Sequence, residues 1–513
     1  KTKVDYLAHV DIVGGSQKSG AESVLKAETG NIQGSNTKAG TFATLNANQD
    51  IDAASVLANT YVTATAGQSV TNASFTSQTS TVDVTALAVD VNNTDVVANQ
   101  KATVTAEEDV IGSSVVSEAA DVAVWAKTGS VSATDADAKT KVDYLAHVDI
   151  VGGSQKAGTD AELEAETGNI TGNAVEAGAL ASLDAALDIT GAEVDAATAT
   201  LTAGEDISGG TVDTAGTATL TAASDIVGTS ITAGGNVTLT ADVDTSADAD
   251  SDGYIQGVNI LGGAEATLTA SEEIDGTDVT AIGDITAAAG EGIGASSFIS
   301  ETGSINASAV RNSIVDTTFW AKAEAATITL TTGLELDGVE AVSGADLNAT
   351  ADTFIVDGLY VSELGNVTLL AKAGNIDGTT ATAKRGAVAA TANRTVGNEY
   401  GNLIGLTVDA FTTATLLAQT DITGGDIASL GDALLTAQNG EINGTTVQTD
   451  AKATLNADLD IVGVDIDAAN AELNADEDIV GGAVSVTGLA DLNANKDGVG
   501  TGDIAGAAVD AGT

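Results

Sequence analysis

Residues 219–231 read TLTAASDIVGTSI, and variants of this motif recur along the whole sequence. The motif is T-L-T-A, then D-I-x-G, then an aliphatic residue five positions after the first Ile. Leu220 lies between Thr219 and Thr221, and such alternation is the period of a strand with one face inward. The segments are short and rich in β-branched residues, as strands are. The motif therefore predicts two short strands joined by a tight turn.

The aliphatic residue at the position of Ile226, here called the central residue, marks about 25 repeats, most of them 18 to 22 residues apart. The predicted central residues are Ile12, Ile32, Ile51, Val70, Val91, Val110, Val131, Ile150, Ile170, Ile189, Ile207, Ile226, Ile255, Ile274, Ile293, Ile314, Leu336, Val356, Ile376, Val396, Ile422, Ile442, Ile461, Ile479 and Ile504.

A single repeat buries almost no apolar surface, so the repeats must stack to form a core. Gly228 supplies a turn position with positive φ, and Asp225 can bond its own backbone within that turn. The sequence therefore predicts an all-β fold, a parallel β-solenoid whose strands pair at about 4.8 Å per turn, giving a rod about 120 Å long. The uneven spacing within turns favours a right-handed β-helix over a left-handed hexapeptide solenoid.

The extended pattern T-L-T-A-x-x-D-I-x-G-x-x-V-x-A-G-G resembles the repeats of filamentous-haemagglutinin-type exoproteins, which are bacterial β-helical surface adhesins and fibres. This resemblance implies a right-handed β-helix, secretion and a role at the cell surface. The secretion-signal cap domain of that family is not among these residues.

A longer repeat underlies the short one. Residues 1–18 (KTKVDYLAHVDIVGGSQK) return unchanged as residues 139–156, an offset of 138 residues or seven turns. We therefore expect a single solenoid over residues 1–513, in which residues 1–138 and 139–241 are related by this offset. We expect an inserted acidic loop at residues 242–254. Further turns should fill residues 255–513, with bulges near residues 397–405 and 496–503.

The composition narrows the possible partners. There are 73 acidic and 18 basic residues, a formal net charge of −55, and neither proline nor cysteine. This charge argues against nucleic acid and anionic membranes as partners. No apolar run is long enough to span a membrane, and disulfides are excluded. Because the sequence starts at Lys1 without a signal peptide, we expect it to be a mature or excised portion.

The acidic insertion contains Asp248, Asp250 and Asp252, followed by Gly253. Spaced carboxylates before a glycine form the first two-thirds of a calcium-binding loop. We predict a calcium site at these three aspartates, with calcium as the cofactor. The alternative is a solvated acidic loop.

Three further surface features each have a structural and a functional interpretation. The aspartates before the central residues either cap their own turns or hold cations between turns; they are Asp188, Asp206, Asp225, Asp460 and Asp478. Outward pairs such as Thr219 and Thr221 either serve as ordinary strand residues or bind ice. Trp125 and Trp320 either lie on a face or fill a wide cross-section, with sugar stacking as the minority alternative.

We expect no enzymatic activity. Both histidines, His9 and His147, belong to the duplicated 18-residue segment and so mark two copies, not one site. The sequence contains no nucleophile elbow, zinc-protease helix or P-loop motif. Carbohydrate-active enzymes that use this fold remain an alternative.

The repeats start at the first residues and continue to Thr513. If Thr513 preceded Lys1 of a second copy, Ile504 would lie 21 residues before the next Ile12, within the observed range of steps. The sequence therefore predicts an extracellular structural fibre, either a sheath, stalk or surface-fibre subunit, whose copies associate head to tail. The alternatives are a cut from a longer array, and a glycan- or cell-binding adhesin.

Overall fold

The computed structural model describes residues 2–242, 253–393, 401–495, 498 and 502–512. The chain divides into two compact units, Lys1–Gly253 (unit 1) and Tyr254–Thr513 (unit 2). The described residues contain strands and turns but no helix. Accordingly, no helix in these ranges has the length and hydropathy needed to cross a membrane.

Each turn contains a long, a short and a middle strand, in this order along the chain. The short strands have two residues each, and twelve lie in unit 1 and thirteen in unit 2. They are Ile12–Val13, Ile32–Gln33, Ile51–Asp52, Val70–Thr71, Val91–Asn92, Val110–Ile111, Val131–Ser132, Ile150–Val151, Ile170–Thr171, Ile189–Thr190, Ile207–Ser208, Ile226–Val227, Ile255–Gln256, Ile274–Asp275, Ile293–Gly294, Ile314–Val315, Leu336–Asp337, Ile355–Val356, Ile376–Asp377, Leu403–Ile404, Ile422–Thr423, Ile442–Asn443, Ile461–Val462, Ile479–Val480 and Ile504–Ala505.

The long strands have four to six residues. They are Lys3–Ala8, Glu22–Ala27, Ala43–Ala47, Val62–Ala66, Val82–Ala86, Ala102–Ala106, Val122–Ala126, Val142–Ala146, Ala161–Ala165, Ala218–Ala222, Val237–Ala241, Ala266–Ala270, Ile285–Ala289, Ile305–Ala309, Ile328–Thr332, Leu347–Ala351, Val367–Ala371, Val388–Ala392, Ala414–Ala418, Ala433–Ala437 and Ala490–Asn493.

The middle strands have three or four residues. They are Ser16–Lys18, Asn36–Ala39, Ser55–Ala58, Ser74–Ser77, Asp95–Ala98, Ser114–Ser117, Asp135–Ala138, Ser154–Ala157, Thr211–Thr214, Ser230–Ala233, Asn259–Gly262, Asp278–Ala281, Ser297–Ser300, Thr318–Ala321, Glu340–Ser343, Leu359–Ser362, Thr380–Ala383, Thr407–Ala410, Asp426–Ser429, Ala483–Val486 and Ala508–Ala511. Four strands join a middle strand to the next long strand: Ala174–Ala185, Glu193–Ala203, Thr446–Ala457 and Asp465–Ala475.

Strands of equal class pair in parallel with those of the neighbouring turn. Leu201 is in register with Leu220, and Ile207 with Ile226. Side chains at these positions are buried in a narrow core of Ala, Val, Leu and Ile, whereas Thr219 points outward. The predicted fold class, a parallel β-solenoid of about 25 turns, is therefore confirmed.

Every turn has a residue with left-handed φ directly after its short strand. Eighteen of these residues are glycine, as Gly228 (φ 63°) illustrates. Glycine adopts this conformation without steric cost, which explains the G of the D-I-x-G motif. The other seven are Ala53, Asn72, Asn93, Ala133, Ala295, Asp316 and Asp357.

Two predicted central residues were wrong. Ile355, not Val356, is in register with Leu336, because Asp357 (φ 49°) takes the left-handed position that the sequence suggests for Gly358. Leu403 is in register with Ile376, because Gly405 (φ 58°) supplies that position. The predicted Val396 lies outside the described residues, as do residues 397–400 of the predicted bulge at 397–405 and residues 496, 497 and 499–501 of the one at 496–503.

We predict that Ala133→Gly stabilises unit 1 by about 1 kcal/mol, because alanine is strained at φ 46°. Chemical denaturation followed by circular dichroism measures the change. Ala389→Gly is the matched control, on an ordinary outward strand position, and should cost about 0.5–1 kcal/mol. A destabilising Ala133→Gly would contradict the role assigned to this backbone position.

Candidate functional site

A column of polar side chains, here called the acceptor ladder, lies directly before the short strands. Each acceptor bonds the backbone N–H of the residue at the equivalent position, or next to it, on the following turn. The N–H of Asp206 donates to Oδ1 of Asp188 at 3.1 Å, and that of Asp225 to Oδ1 of Asp206 at 3.0 Å. In unit 2, the N–H of Asp478 donates to Oδ1 of Asp460 at 2.8 Å.

The ladder contains amide and hydroxyl acceptors as well as carboxylates. Its members are Asp11, Asn31, Asp50, Asp90, Asp109, Ser130, Asp149, Asn169, Asp188, Asp206 and Asp225 in unit 1, and Asn375, Asn402, Asp421, Asp460 and Asp478 in unit 2. Because Asn and Ser accept an N–H bond as carboxylates do, the shared chemistry of the column is hydrogen-bond acceptance.

The aspartates were expected to cap their own turns. That expectation was wrong about the hydrogen-bond donor, which lies on the next turn. The carboxylate oxygens bond the next turn, and so they tie neighbouring turns together beside the main-chain ladder. A bond from a backbone N–H to a carboxylate is charge-assisted, which makes it stronger than a bond between neutral groups.

A second set of acceptors lies before the long strands. The N–H of Ser304 donates to Oδ1 of Asp284 at 2.7 Å, and that of Asn366 to Oδ1 of Asp346 at 2.8 Å. Asp121 accepts from both the hydroxyl and the backbone of the following turn, at Thr140 and Lys141. Polar side chains thus accept hydrogen bonds from the next turn at two of the three corners of a turn, before the short strand and before the long strand.

Two aspartates have pKa values shifted toward the anion: Asp121 of the second acceptor set, and Asp52, which lies in a short strand and accepts bonds from side chains of neighbouring turns. The hydroxyl of Thr140 lowers the pKa of Asp121, assisted by the N–H of Lys141, against a smaller rise from burial. The hydroxyl of Thr71 lowers the pKa of Asp52, with further help from Asn72 and Gln33. Their protonation should therefore weaken contacts between turns.

Lysine and arginine side chains also connect neighbouring turns. The cross-turn ion pairs are Lys3–Glu22, Lys127–Glu107, Lys141–Glu162, Lys156–Glu176, Arg311–Glu291, Lys322–Glu301, Lys372–Asp352, Lys384–Glu363 and Lys452–Glu472. They are largely exposed, so each contributes little to stability. Their effect is to place the scarce positive charge next to carboxylates of adjacent turns.

A groove in unit 1 has a volume of about 560 Å³ and includes Lys139, Lys156, Glu176 and Asp195 in its lining. Lys156 is already bonded to Glu176 at 2.7 Å. His147 lies 2.9 Å from Glu166, and His9, in the first copy, lies 3.5 Å from Glu28. Both histidines thus lie on the surface beside a glutamate of the next turn.

Trp125 and Trp320 both point outward from strands, so of the two structural alternatives they lie on a face and do not fill the cross-section. The ammonium of Lys322 lies 4.9 Å from the ring centroid of Trp320. Phe42 and Tyr61 stack on neighbouring turns with ring centroids 4.7 Å apart. Because the ring planes are nearly parallel, each ring covers one face of the other.

The predicted calcium residues Asp248, Asp250 and Asp252 lie outside the described residues, so calcium binding there stays a prediction. Within the described ranges, no group of three or more His, Asp or Glu side chains could hold a metal ion. The paired threonines 200/202, 219/221 and 238/240 all point outward on adjacent long strands.

Comparison with known proteins gives no family for this chain: no family model, no curated protein and no solved structure matches it.

We predict that Asp206→Ala destabilises unit 1 by about 1–2 kcal/mol, because the N–H of Asp225 loses its acceptor. Asp206→Asn keeps a neutral acceptor, which makes a weaker bond than a carboxylate does, and should cost about half as much as Asp206→Ala. Denaturant titration measures both, with and without excess chelator. Equal losses for Ala and Asn, or a loss that depends on chelator, would instead support cations between the turns.

The stabilisation contributed by Asp121 should depend on pH. Its folded-state pKa is lowered, so the contribution is present at neutral pH and disappears as pH falls through the folded pKa. The difference in Tm between wild type and Asp121→Ala should therefore shrink below about pH 4. Asp83→Ala, an outward change on a nearby long strand, controls for loss of one negative charge. A difference independent of pH would contradict this assignment.

Proposed function

We propose that the chain is an extracellular structural fibre subunit, a sheath, stalk or surface-fibre element, whose copies stack head to tail. The proposal rests on a comparison of two identical 18-residue segments of the chain, residues 1–18 and 139–156. The same 18 residues occur once in the first turn and once within the stack, where a preceding turn covers them.

Within the stack, Tyr144 is 1% exposed and its hydroxyl donates to the carbonyl of Thr134, on the preceding turn, at 3.0 Å. The amide of Gln155 donates to the same carbonyl at 3.3 Å. Burial raises the pKa of the Tyr144 phenol, which keeps it a neutral donor. In the first turn, the equivalent Tyr6 is 49% exposed.

The last turn presents the complementary surface. Ile504 is 52% exposed, although it is in register with the buried Ile479. Val509 is similarly exposed, opposite the buried Val484. Covering such apolar side chains is favourable by about 25 cal/mol for each Å² removed from water.

The two surfaces can be matched position by position. Thr134 lies three residues after the central residue Val131, and Ala507 lies three residues after Ile504. The carbonyl of Ala507 in one copy would thus take the place of the Thr134 carbonyl for Tyr6 and Gln17 of the next copy. Because this acceptor is a backbone group, the match does not depend on the side chain at residue 507.

Strand pairing would add to this contact. Among the described residues, Lys3–Ala8 pairs with Glu22–Ala27 alone, and Ala508–Ala511 with Ala483–Val486 alone. Unpaired strand edges promote association with further strands. A stacked pair of copies would continue the same parallel ladder across the junction.

The extracellular setting is supported by composition and by resemblance. A cysteine-free, strongly acidic solenoid suits a surface fibre, and the T-L-T-A and D-I-x-G repeats resemble those of filamentous-haemagglutinin-type exoproteins. In this role the chain acts mechanically, through stacked backbone hydrogen bonds.

A glycan-binding adhesin is the second candidate function. The observation that favours it is a groove of about 430 Å³ in unit 2, lined by the half-exposed Phe411 with Asp409, Gln448 and Asp450. An aromatic ring beside carboxylate and amide groups suits sugar binding. A glycan array tests this candidate, and binding that Phe411→Ala abolishes would establish it.

We predict that the purified chain forms filaments and that Tyr6→Lys prevents them, because a lysine would be buried without a partner at the junction. Leu7→Lys, on the outward face of the same strand, is the matched control and should leave the filaments intact. Negative-stain electron microscopy measures particle length. Short, monodisperse wild-type particles at high concentration would overturn head-to-tail stacking.

A further inference from the structure

Six outward side chains of the middle strands in unit 2 form a column, here called the apolar stripe. Its members are Leu261, Thr280, Ile299, Trp320, Val342 and Val361, each in register with the next. Apart from Thr280, all are apolar. The stripe thus crosses six successive turns on the outer surface of one sheet.

At the stripe position these strands carry apolar side chains on the outer face as well as in the core, whereas their first outward position is mostly polar, as at Asp278 and Glu340. In Thr318–Ala321, Phe319 fills the core while Trp320 is 46% exposed; Leu261, at the end of the stripe, is 56% exposed. Such a column of exposed apolar side chains is small for an interaction site, so any partner must match its spacing.

The charges around the stripe are of both signs, and the exposed Asp278 and Glu340 lie beside it on the same face. Lys322 and Lys384, just beyond the ends of their strands, are bonded to Glu301 and Glu363 of the preceding turns. The stripe itself carries no charge. In a chain of net charge −55, this is a surface that two copies could bring together without burying a stripe carboxylate.

The distance between stripe residues on successive turns indicates which kind of partner fits the stripe. Its side chains repeat at the strand spacing of about 4.8 Å, so a partner meets them turn for turn only if it has the same repeat. A second copy of the chain provides this repeat. Sheets packed face to face at about 10 Å allow such columns to interdigitate.

We propose that the apolar stripe is the contact of a lateral, two-fold pair formed with the stripe of a second copy. In an antiparallel pair, Leu261 faces Val361 and Ile299 faces Trp320 of the other copy, and each contact occurs twice. The stripe covers roughly 200 Å² on each copy by the spacing of strands and residues. This is below the roughly 800 Å² per partner of stable complexes, so the pair is weak and gains strength when repeated between fibres.

The test follows acrylamide quenching of Trp320 as protein concentration rises to about 1 mM, the Kd range of weak contacts. The background carries Trp125→Phe, which makes Trp320 the single tryptophan, and Tyr6→Lys, which blocks stacking at the first turn. We expect quenching to fall with concentration, and to fall further with added salt because screening weakens repulsion between acidic copies.

Ile299→Lys should weaken the pair by at least about a hundredfold, since a two-fold contact contains the change twice. Leu434→Lys introduces the same charge at a partly exposed position of a long strand and should leave protection unchanged. Quenching that is constant with concentration would overturn the proposal, as would equal loss of protection in both variants. Protection that appears only with an added glycan would also overturn it and would favour the adhesin function.

Discussion

The structure depends on main-chain hydrogen bonds between equivalent positions of neighbouring turns. The N–H of Ile207 donates to the carbonyl of Asp225 on the next turn, and that of Gly209 donates to Val227. This pattern uses nearly every backbone donor along a strand, and proline, which has no N–H to donate, is absent from the chain. Since a turn has few contacts of its own, its stability comes from its neighbours, as in other solenoids. The acceptor ladder extends this bonding to the corners, where Asp206 supplies a further acceptor for the following turn.

The same constraint shapes the core. Stacking brings like residues together, so a large side chain needs a compensating change nearby. Phe298 and Phe319 meet on adjacent turns with ring centroids 5.3 Å apart, and their nearly parallel planes let them share one column. Tyr360 is fully buried, and a Cβ at Gly358 would lie 2.4 Å from its ring. The core of a turn thus accommodates an aromatic side chain where a nearby residue is small, as Gly358 is beside Tyr360. Elsewhere it is filled by small aliphatic side chains, which also explains the low aromatic content of 3%.

The sequence predicted the structure correctly at positions where a residue type has a single structural role. Alternation around Leu220 predicted the inward face, and Gly228 predicted the left-handed turn; both are confirmed. It failed where several types serve equally, as when Asp357 takes the left-handed position beside Gly358. The partner of each ladder aspartate was also missed, although Asn31 and Asn169 in the same column indicate hydrogen-bond acceptance. Periodicity cannot reveal which turn a carboxylate bonds, because that depends on the offset between turns. The handedness of the coil stays a prediction.

The most direct test of the account is a set of distances between spin labels in unit 1. The chain has no cysteine, so pairs of engineered cysteines carry the labels uniquely. The outward residues Thr103 and Thr200 are five turns apart, Thr63 and Thr200 seven, and Thr63 and Thr238 nine. At one strand spacing per turn, the account predicts separations of about 24, 34 and 43 Å, an increase of about 10 Å for each additional two turns. Separations that do not increase with the number of turns would contradict the stacking of parallel turns along one axis in this unit.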